Sequence, residues 1–266
     1  MIGRLLGLCG VVLILAGCAA TEIPSRAQPN VLIFSHTTGY RHDSIEPATA
    51  AIREIARRDD MQAVASEDPS IFDDPEGLAA FDAIILLSST TKPDVPESEW
   101  LVGERRAALQ RYVRGGGGIV AIHAAADSHY HWPWYGQMIG ARFRRHPDGV
   151  PEGLVARTKV SHPATTILPC SFRIRDEWYW FSNVVPTLDI LLTLDPASIG
   201  EAPEKPIPLA WAHRFQGGRV FYTGLGHRSE NWSDARLLDH VRGGMRWAIG
   251  KAADPDPGRP PSCPIS

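Results

Sequence analysis

Cysteine is scarce in this sequence, with 4 residues in 266, and none has the CxxC or Cys/His spacing of a structural zinc module. Positive and negative residues are nearly balanced, with 27 Lys and Arg and 30 Asp and Glu, and the sequence contains no block of like charges. The charge pattern therefore indicates neither nucleic acid nor an anionic membrane surface as a partner. An HExxH metal motif is also missing, which removes one common signature of a metalloenzyme.

The sequence also lacks an apolar run long enough for a comfortable membrane span. The apolar stretch Leu5–Leu15 follows a positively charged start and leads into Leu15-Ala16-Gly17-Cys18. This pattern resembles a bacterial lipoprotein signal. It predicts a signal peptide over residues 1–17, lipidation of Cys18 and a polar tether over residues 18–29. The protein would then be lipid-anchored in the cell envelope and would touch a membrane only through its acyl chains. An uncleaved anchor and plain secretion are the alternatives.

The rest of the chain is long enough for one large α/β domain or two small ones. We predict a folded domain over residues 30–250 and a disordered, proline-rich tail over residues 251–266. Cys170 lies in the domain and Cys263 in the tail. In an oxidising envelope these two cysteines could pair.

Short apolar strands alternate with amphipathic helices in the first half of the chain, which is typical of right-handed βαβ units and a parallel sheet. Runs that are apolar on both faces predict strands covered by helices on either side. The segment 141–195 is strand-like but broken by proline, so it could be a lid or part of the sheet. The predicted strands cover 30–35, 62–65, 81–88 and 119–122, with a hairpin over 208–225, and the predicted helices cover 45–56, 96–114 and 234–249.

Three histidines follow predicted strands: His42, His123 and His227. If those strands run parallel, all three lie at the same sheet edge, where open α/β sheets bind ligands. Histidine suits acid–base catalysis because its ordinary pKa lies near neutrality. It is also a common ligand of zinc and similar ions. These three are therefore candidate catalytic residues and candidate metal ligands. Chance is the alternative, because the chain has ten histidines and a single histidine after a strand is more often structural.

Carboxylates accompany these histidines. Asp127, four residues after His123, could orient its ring or act as a second base, and a helix N-cap is the alternative. Asp176 and Glu177 precede an aromatic cluster and lie either in a solvated turn or in a cleft. The remaining histidines are weaker candidates (His146 and His162) or are predicted to be structural (His129, His131, His213 and His240).

Aromatic side chains are dense after the central strand and in the segment that follows it. Their faces pack against the apolar faces of sugar rings, so the density favours carbohydrate slightly, although core packing explains most tryptophans equally well. The aromatic residues concerned are Trp132, Trp134, Tyr135, Trp178, Tyr179 and Trp180.

Several ordered motifs together resemble the ThuA-like family, which is named after a trehalose-utilisation protein. The resemblance covers roughly residues 30–250. The motifs that carry it are Gly39-Tyr-Arg-His-Asp-Ser-Ile45, residues 115–127, Trp134-Tyr135, Gly140-Ala-Arg-Phe143, His146-Pro147, Asp176-Glu-Trp-Tyr179, Trp211-Ala-His213, Gly218-Arg-Val-Phe-Tyr222-Thr-Gly-Leu-Gly-His227 and Trp247-Ala248.

The resemblance implies a flavodoxin-like, three-layer α/β/α sandwich related to class I glutamine amidotransferases. It implies a mostly parallel sheet with an antiparallel hairpin near the C-terminus. In those enzymes a cysteine nucleophile follows the central strand, and a histidine and a glutamate follow a late strand. Here His123 takes the place of the cysteine, His227 matches the histidine, and Glu230 lies near the glutamate with different spacing. Glutaminase chemistry needs the thiol, so this activity is not expected.

The family also implies carbohydrate metabolism, particularly of keto derivatives of disaccharides. We expect acid–base hydrolysis, elimination or isomerisation of such keto-sugars by His123, His227, His42 and Asp127, with a divalent metal such as zinc as a candidate cofactor. A non-catalytic sugar-binding lipoprotein and a structural envelope domain with a vestigial cleft are the alternatives. The residues expected to contact the substrate are Arg41, Trp134, Tyr135, His146, Glu177 and Tyr179.

Overall fold

A nine-stranded mixed sheet forms the centre of the molecule, in the order β2-β1-β3-β4-β11-β10-β9-β6-β7. The computed structural model describes residues 28–202, 205–250 and 252–254. The predicted signal peptide, Cys18 and nearly all of the predicted tail lie outside these residues. The strands are β1 (Asn30–Phe34), β2 (Gln62–Ser66), β3 (Ala83–Leu87), β4 (Gly118–Ile122), β5 (Arg142–Arg145), β6 (Glu152–Arg157), β7 (Ser171–Arg175), β8 (Trp180–Ser182), β9 (Asp189–Asp195), β10 (Ile207–Phe215) and β11 (Gly218–Thr223).

Helices cover both faces of the sheet, which confirms the three-layer α/β prediction. One core cluster joins residues of α1 and α5 to one face of the strands. A second cluster joins residues of α3 and α4 to the other face. The helices are α1 (Ile45–Arg58), α2 (Pro75–Ala79), α3 (Glu104–Arg114), α4 (Pro133–Ile139) and α5 (Ala235–Ala248).

The five strands β2, β1, β3, β4 and β11 run parallel to one another. Every residue of β3 and β4 is buried, as their apolar runs predict for strands covered on both faces. The carboxyl ends of β1, β3, β4 and β11 therefore lie at one edge of the sheet. We call it the C-terminal edge.

The segment 141–195, which the sequence left open, belongs mainly to the sheet. Beyond the predicted hairpin of β10 and β11, the strands β9, β6 and β7 extend the sheet in antiparallel fashion. The short strands β5 and β8 pair separately as a second, two-stranded sheet. The antiparallel part is therefore larger than a single hairpin.

One predicted helix boundary is wrong. The helix expected over 96–114 begins only at Glu104, after a short 3-10 turn at Pro96–Ser98. Leu101, which lies within the predicted helix, is buried in the loop before Glu104 instead. Its backbone N–H donates to Nε2 of His129 at 3.1 Å. An imidazole nitrogen thus accepts the hydrogen bond that a backbone carbonyl would accept in a helix. Tertiary contacts thus override the local helical pattern here.

Cys170 takes part in a disulfide bond, whose other half lies outside the described residues. Across residues 28–202, 205–250 and 252–254, the structure contains no helix of the length and hydropathy that a bilayer span requires.

Candidate functional site

His123 is placed by the end of the central strand β4. Its φ of +50° is uncommon for a residue with a side chain and turns the ring out of the strand direction. The Tyr222 hydroxyl donates to the His123 carbonyl at 2.9 Å, which holds this turn. Nδ1 lies 2.9 Å from the Gly224 carbonyl. A carbonyl only accepts, so Nδ1 carries the proton and the lone pair of a neutral His123 is on Nε2.

His42 is placed by the loop that follows β1. The N–H groups of Thr38 and Gly39 donate to the Thr90 carbonyl, and the Thr90 hydroxyl donates to the Tyr40 carbonyl at 2.7 Å. Gly39 permits this close approach, because a Cβ there would lie 2.9 Å from the carbonyl oxygen of Thr91. The loop is thus fixed against the loop that follows β3.

The His42 ring is buried against the other two imidazoles. Its centroid lies 4.9 Å from that of His123 and 5.2 Å from that of His227. Burial, together with the two neighbouring histidines, lowers the pKa of His42 to about 3. Nδ1 of His42 is buried and has no hydrogen-bond partner within the described part of the chain. This ring nitrogen is therefore available to a ligand bound beside it.

Glu177 joins the histidines as the fourth member of the cluster. Its Oε2 lies 3.2 Å from Nδ1 of His227 and 3.4 Å from Nε2 of His123. Those two nitrogens lie 3.3 Å apart. One ligand atom from each of His42, His123, Glu177 and His227 lies within 4.8 Å of the other three. We call these four residues the His/Glu cluster.

The spacing of these atoms fits a tetrahedral metal ion. Bonds of about 2.0–2.1 Å to zinc place the ligand atoms about 3.3–3.4 Å apart, which matches the three distances of 3.2, 3.3 and 3.4 Å. Nε2 of a neutral His123 and the Glu177 carboxylate are both acceptors, so they repel unless a proton or a cation lies between them. Three imidazoles and one carboxylate are also an ordinary donor set for zinc and related ions. The residues therefore fit a divalent metal.

The charges within the His/Glu cluster stabilise one another. Burial would raise the pKa of Glu177, but its interactions with His123 and His227 outweigh burial and hold the pKa well below its usual range. Burial would likewise lower the pKa of His227, but the interaction with Glu177 outweighs it and raises the pKa. Glu177 is therefore an anion at neutral pH, as a metal ligand must be.

The His/Glu cluster opens into a cleft of about 380 Å³ at the C-terminal edge. Asp127 lines this cleft and accepts a hydrogen bond from the Tyr130 hydroxyl. Burial raises the pKa of Asp127 to about 6, so this carboxyl can exchange a proton near neutral pH. The lining residues are Tyr40, His42, Asp127, Phe143, His146, Gly149, Val150, Glu177, Tyr179 and His227.

A larger cavity, of about 920 Å³, lies at the opposite edge of the sheet, beside the glycine turn at Gly115 and the end of α5. Its described lining includes no histidine and no cysteine. Size alone does not make a site, and the chemistry lies in the smaller cleft.

The family follows from comparison with known sequences. The model of the family described as trehalose utilisation, ThuA, matches residues 30–248. The chain belongs to the ThuA family. No curated protein matches the sequence.

Solved structures share the fold of this ThuA chain. A ThuA-like protein from Bacteroides uniformis is 24% identical, with a TM-score of 0.68 over 89% of this chain and 98% of that one. A ThuA-like protein from Parabacteroides merdae is 18% identical, with a TM-score of 0.65 over 88% and 95%. A glutamine amidotransferase from Thermotoga maritima is 10% identical, with a TM-score of 0.55 over 84% and 99%. The expected relation to the amidotransferase fold is therefore confirmed.

The structure of this ThuA chain brings together His42, His123 and His227, as the strand ends predicted. Asp127, His146 and Tyr179 also line the cleft. Tyr179 stacks on His123 with 4.4 Å between ring centroids. Asp127 is neither the N-cap of α4, where Trp132 stands, nor a described hydrogen-bond partner of His123. Their chemical roles stay predictions.

Three residues expected to bind substrate lie away from the cleft. Trp134 donates to Gln216 at 3.0 Å, in the β10–β11 turn at the opposite edge of the sheet. Tyr135 is buried in the core and donates to the Ala125 carbonyl at 2.9 Å. Arg41 forms ion pairs with Glu46 and Glu67 and does not line the cleft. Being near in sequence to a site residue did not place them in the site.

Most of the other histidines are structural in the ThuA chain, as predicted. His213 contacts the Met138 carbonyl and His240 the Ala164 carbonyl, each at 2.8 Å. His129 links Ser128 to the N–H of Leu101. Nδ1 of His162 accepts from the N–H of Ala164 at 3.0 Å, which makes His162 structural as well.

Sequence reasoning missed several residues of the cleft. Glu177 was expected to bind substrate but belongs to the His/Glu cluster. Glu230, which lies near the position of the amidotransferase glutamate in sequence, pairs with Arg228 outside the cleft. Tyr40 and Phe143 line the walls, and both stand in quoted family motifs that could have identified them. Tyr130, the partner of Asp127, had no sequence signal beyond its spacing.

Proposed function

We propose that this protein is an enzyme that performs acid–base chemistry on an uncharged keto-carbohydrate, with a divalent metal held by His42, His123, Glu177 and His227. The reaction class is hydrolysis, elimination or isomerisation. The observation that carries the proposal is the convergence of Nε2 of His123, Nδ1 of His227 and Oε2 of Glu177 at 3.2–3.4 Å, beside a cleft that Glu177 and His227 line.

Each cluster residue has a defined part in this proposal. His123 presents the lone pair of Nε2 because Nδ1 donates to Gly224. The pKa of His42, lowered by burial to about 3, keeps that ring neutral. Glu177 supplies the negative charge. When bound, a divalent ion in such a set polarises a carbonyl oxygen or activates water.

Asp127 is the proton carrier of the proposal. Its Oδ1 accepts from the Tyr130 hydroxyl, which leaves Oδ2 to take a proton from the substrate or to return it. A pKa that burial raises to about 6 suits either direction of transfer at neutral pH. The Tyr130 hydrogen bond orients the carboxyl group towards the cleft.

The cleft favours an uncharged substrate. None of the described residues that line it is Lys or Arg, the usual partners of phosphate and carboxylate groups. Carboxylates and imidazoles bind hydroxyl groups, and the aromatic side chains of Tyr40, Phe143 and Tyr179 offer faces for sugar rings. The family description, trehalose utilisation, supports the same substrate class.

Thiol-based glutaminase chemistry forms no part of the proposal. His123 stands at the turn where an amidotransferase carries its nucleophile, and Cys170 is engaged in a disulfide. No thiol nucleophile is therefore offered at this edge by the residues that the structure describes.

We also propose the cell envelope as the location, with a lipid on Cys18. The disulfide of Cys170 supports an oxidising compartment. If the sulfur of Cys18 carries the lipid and residues 1–17 are removed, Cys263 is the remaining partner for Cys170 in the mature chain. Peptide mapping of the membrane fraction without reduction should find the Cys170–Cys263 peptide and an acylated N-terminal peptide. A full-length cytoplasmic protein would refute this location.

The proposed activity is tested with the variant His123→Asn offered 3-keto-glycosides alongside the parent protein. Asparagine tolerates the positive φ at this position better than alanine does, so the fold is retained while the metal ligand is lost. We expect kcat/KM to fall at least about 100-fold. The matched control is His36→Ala, because His36 also follows β1 but contacts the Glu67 carbonyl outside the cleft.

Two results would contradict the proposed activity. If the parent protein binds the glycosides without converting them, the non-catalytic sugar-binding alternative is correct. If His123→Asn turns over at the parent rate, the chemistry does not depend on the His/Glu cluster.

A further inference from the structure

Asp176 is a fully buried carboxylate directly behind the His/Glu cluster. Its Oδ1 accepts from the N–H groups of Glu177, His227 and Arg228 at 3.0, 3.1 and 3.3 Å. Its Oδ2 accepts from the N–H of Gly226 at 2.8 Å. Among the residues that the structure describes, no cationic side chain forms an ion pair with it. Burying a carboxyl group costs free energy unless its oxygens find hydrogen-bond donors, and here four backbone N–H groups supply them.

Two of the four donors belong to members of the His/Glu cluster. Glu177 follows Asp176 in the chain, whereas His227 comes from the loop after β11, 51 residues away. A single carboxylate group therefore fixes the backbone of both Glu177 and His227. The position of the Asp176 carboxyl group therefore helps to set the distance between Oε2 of Glu177 and Nδ1 of His227, which is 3.2 Å.

We propose that Asp176 is a positioning residue for the metal centre: its side chain fixes the backbone of Glu177 and of His227, and so holds both in ligand geometry. This inference rests on the proposed function. Residues that lie behind metal ligands and orient them are needed for full metal affinity.

A neighbouring contact separates this role from simple loop fixation. Asn231 also connects the same two segments, because its Nδ2 donates to the Arg175 carbonyl at 2.9 Å. That amide is neutral and bonds to neither Glu177 nor His227. Loss of Asn231 should therefore loosen the loop without removing the backbone contacts of Glu177 and His227. The variant Asn231→Ala is the matched control.

The experiment compares the parent protein, Asp176→Asn and Asn231→Ala in titrations with Co²⁺, followed by the visible absorption of the bound ion and by competition with a chelator. Thermal unfolding is measured on the same samples. We expect Asp176→Asn to bind Co²⁺ at least about tenfold more weakly, with an altered absorption spectrum. Asn231→Ala should keep the parent spectrum and bind Co²⁺ within about threefold of the parent affinity. We expect this even if its melting temperature falls as much as that of Asp176→Asn. If Asp176→Asn does not fold, Asp176→Ser serves as the second neutral variant.

The outcomes separate the inference from the function on which it rests. Parent-like affinity and spectrum in the neutral Asp176 variant would refute the role of Asp176 alone. Equal losses of affinity in Asp176→Asn and Asn231→Ala would refute it too, because loop fixation would then explain both. A parent protein that takes up no Co²⁺ would refute the proposed metal centre itself.

Discussion

At the scale of single residues, the chemistry of the cleft depends on which atoms carry protons. The Gly224 carbonyl fixes the proton of His123 on Nδ1, so Nε2 faces Glu177 as a lone pair. The same assignment leaves His227, and not His123, to donate to Oε2 of Glu177 when no ion is bound. A metal would replace that proton, which makes its binding pH-dependent.

Tyr40 is the residue that we expect to determine how tightly the substrate binds. Its backbone is held by Thr90, yet 65% of the residue is exposed at the rim of the cleft. A fixed backbone that carries an exposed ring suits stacking against a sugar. In Tyr40→Ala we expect KM for a 3-keto-glycoside to rise about 2- to 10-fold while kcat stays near the parent value.

The controls for this prediction are Tyr40→Phe, which keeps the ring, and Val102→Ala, which removes an exposed apolar side chain that does not line the cleft. Both should behave like the parent protein in steady-state kinetics. An unchanged KM in Tyr40→Ala would show that the ring does not contact the substrate.

At the scale of elements, the loop after β1 positions His42 through its contact with the loop after β3. We expect Gly39→Ala to displace this loop, because its Cβ would lie 2.9 Å from the carbonyl oxygen of Thr91, closer than atoms pack without strain. Activity on 3-keto-glycosides should fall about tenfold or more, since small displacements of catalytic groups are costly.

The control for the loop is Gly115→Ala, at the opposite edge of the sheet, where a Cβ would lie 3.3 Å from its nearest neighbour. Kinetics and thermal unfolding are measured on both variants. Gly115→Ala should change stability at most, whereas parent-like kinetics in Gly39→Ala would show that the loop does not need this close approach.

The strands of the first half of the fold could be predicted because their signal, a short apolar run, is local in the sequence. The runs that became β1, β3 and β4 are apolar on both faces. The parallel arrangement of β1, β4 and β11 brings His42, His123 and His227 to one edge. Such a convergence follows from strand direction alone.

The position of Glu177 could not be predicted in this way. It follows β7, the outermost strand of the antiparallel half, and reaches the cleft through pairings between segments far apart in the chain. Local periodicity does not encode such pairings. Trp134 and Tyr135 do not line the cleft, because Trp134 contacts Gln216 and Tyr135 packs in the core beneath the helices.

At the scale of the whole molecule, buried neutral histidines make stability dependent on pH. Outside the cleft, burial lowers the pKa of His162 to about 3 and that of His240 to about 4. The unfolded chain binds protons at these residues below about pH 6.5, whereas the native protein does not. The free energy of unfolding therefore decreases as pH falls from about 6.5 towards 4, by up to about 1.4 kcal/mol per pH unit for each histidine.

The measurement is thermal unfolding of the parent protein and of His162→Gln between pH 7 and pH 4. Glutamine is close to imidazole in size but does not titrate, so the melting temperature of the variant should fall less steeply with decreasing pH. Equal slopes for the two proteins would show that His162 does not contribute to acid unfolding.

The proposed chemistry depends on one divalent ion held by His42, His123, Glu177 and His227. Anomalous diffraction from crystals grown with zinc, collected on both sides of the zinc absorption edge, tests this claim directly. We predict a single strong peak within about 2.0–2.2 Å of Nε2 of His123, Nδ1 of His227 and a Glu177 oxygen, with a His42 nitrogen completing the set. A cleft without a peak, in crystals whose imidazoles keep the positions described, would contradict the account.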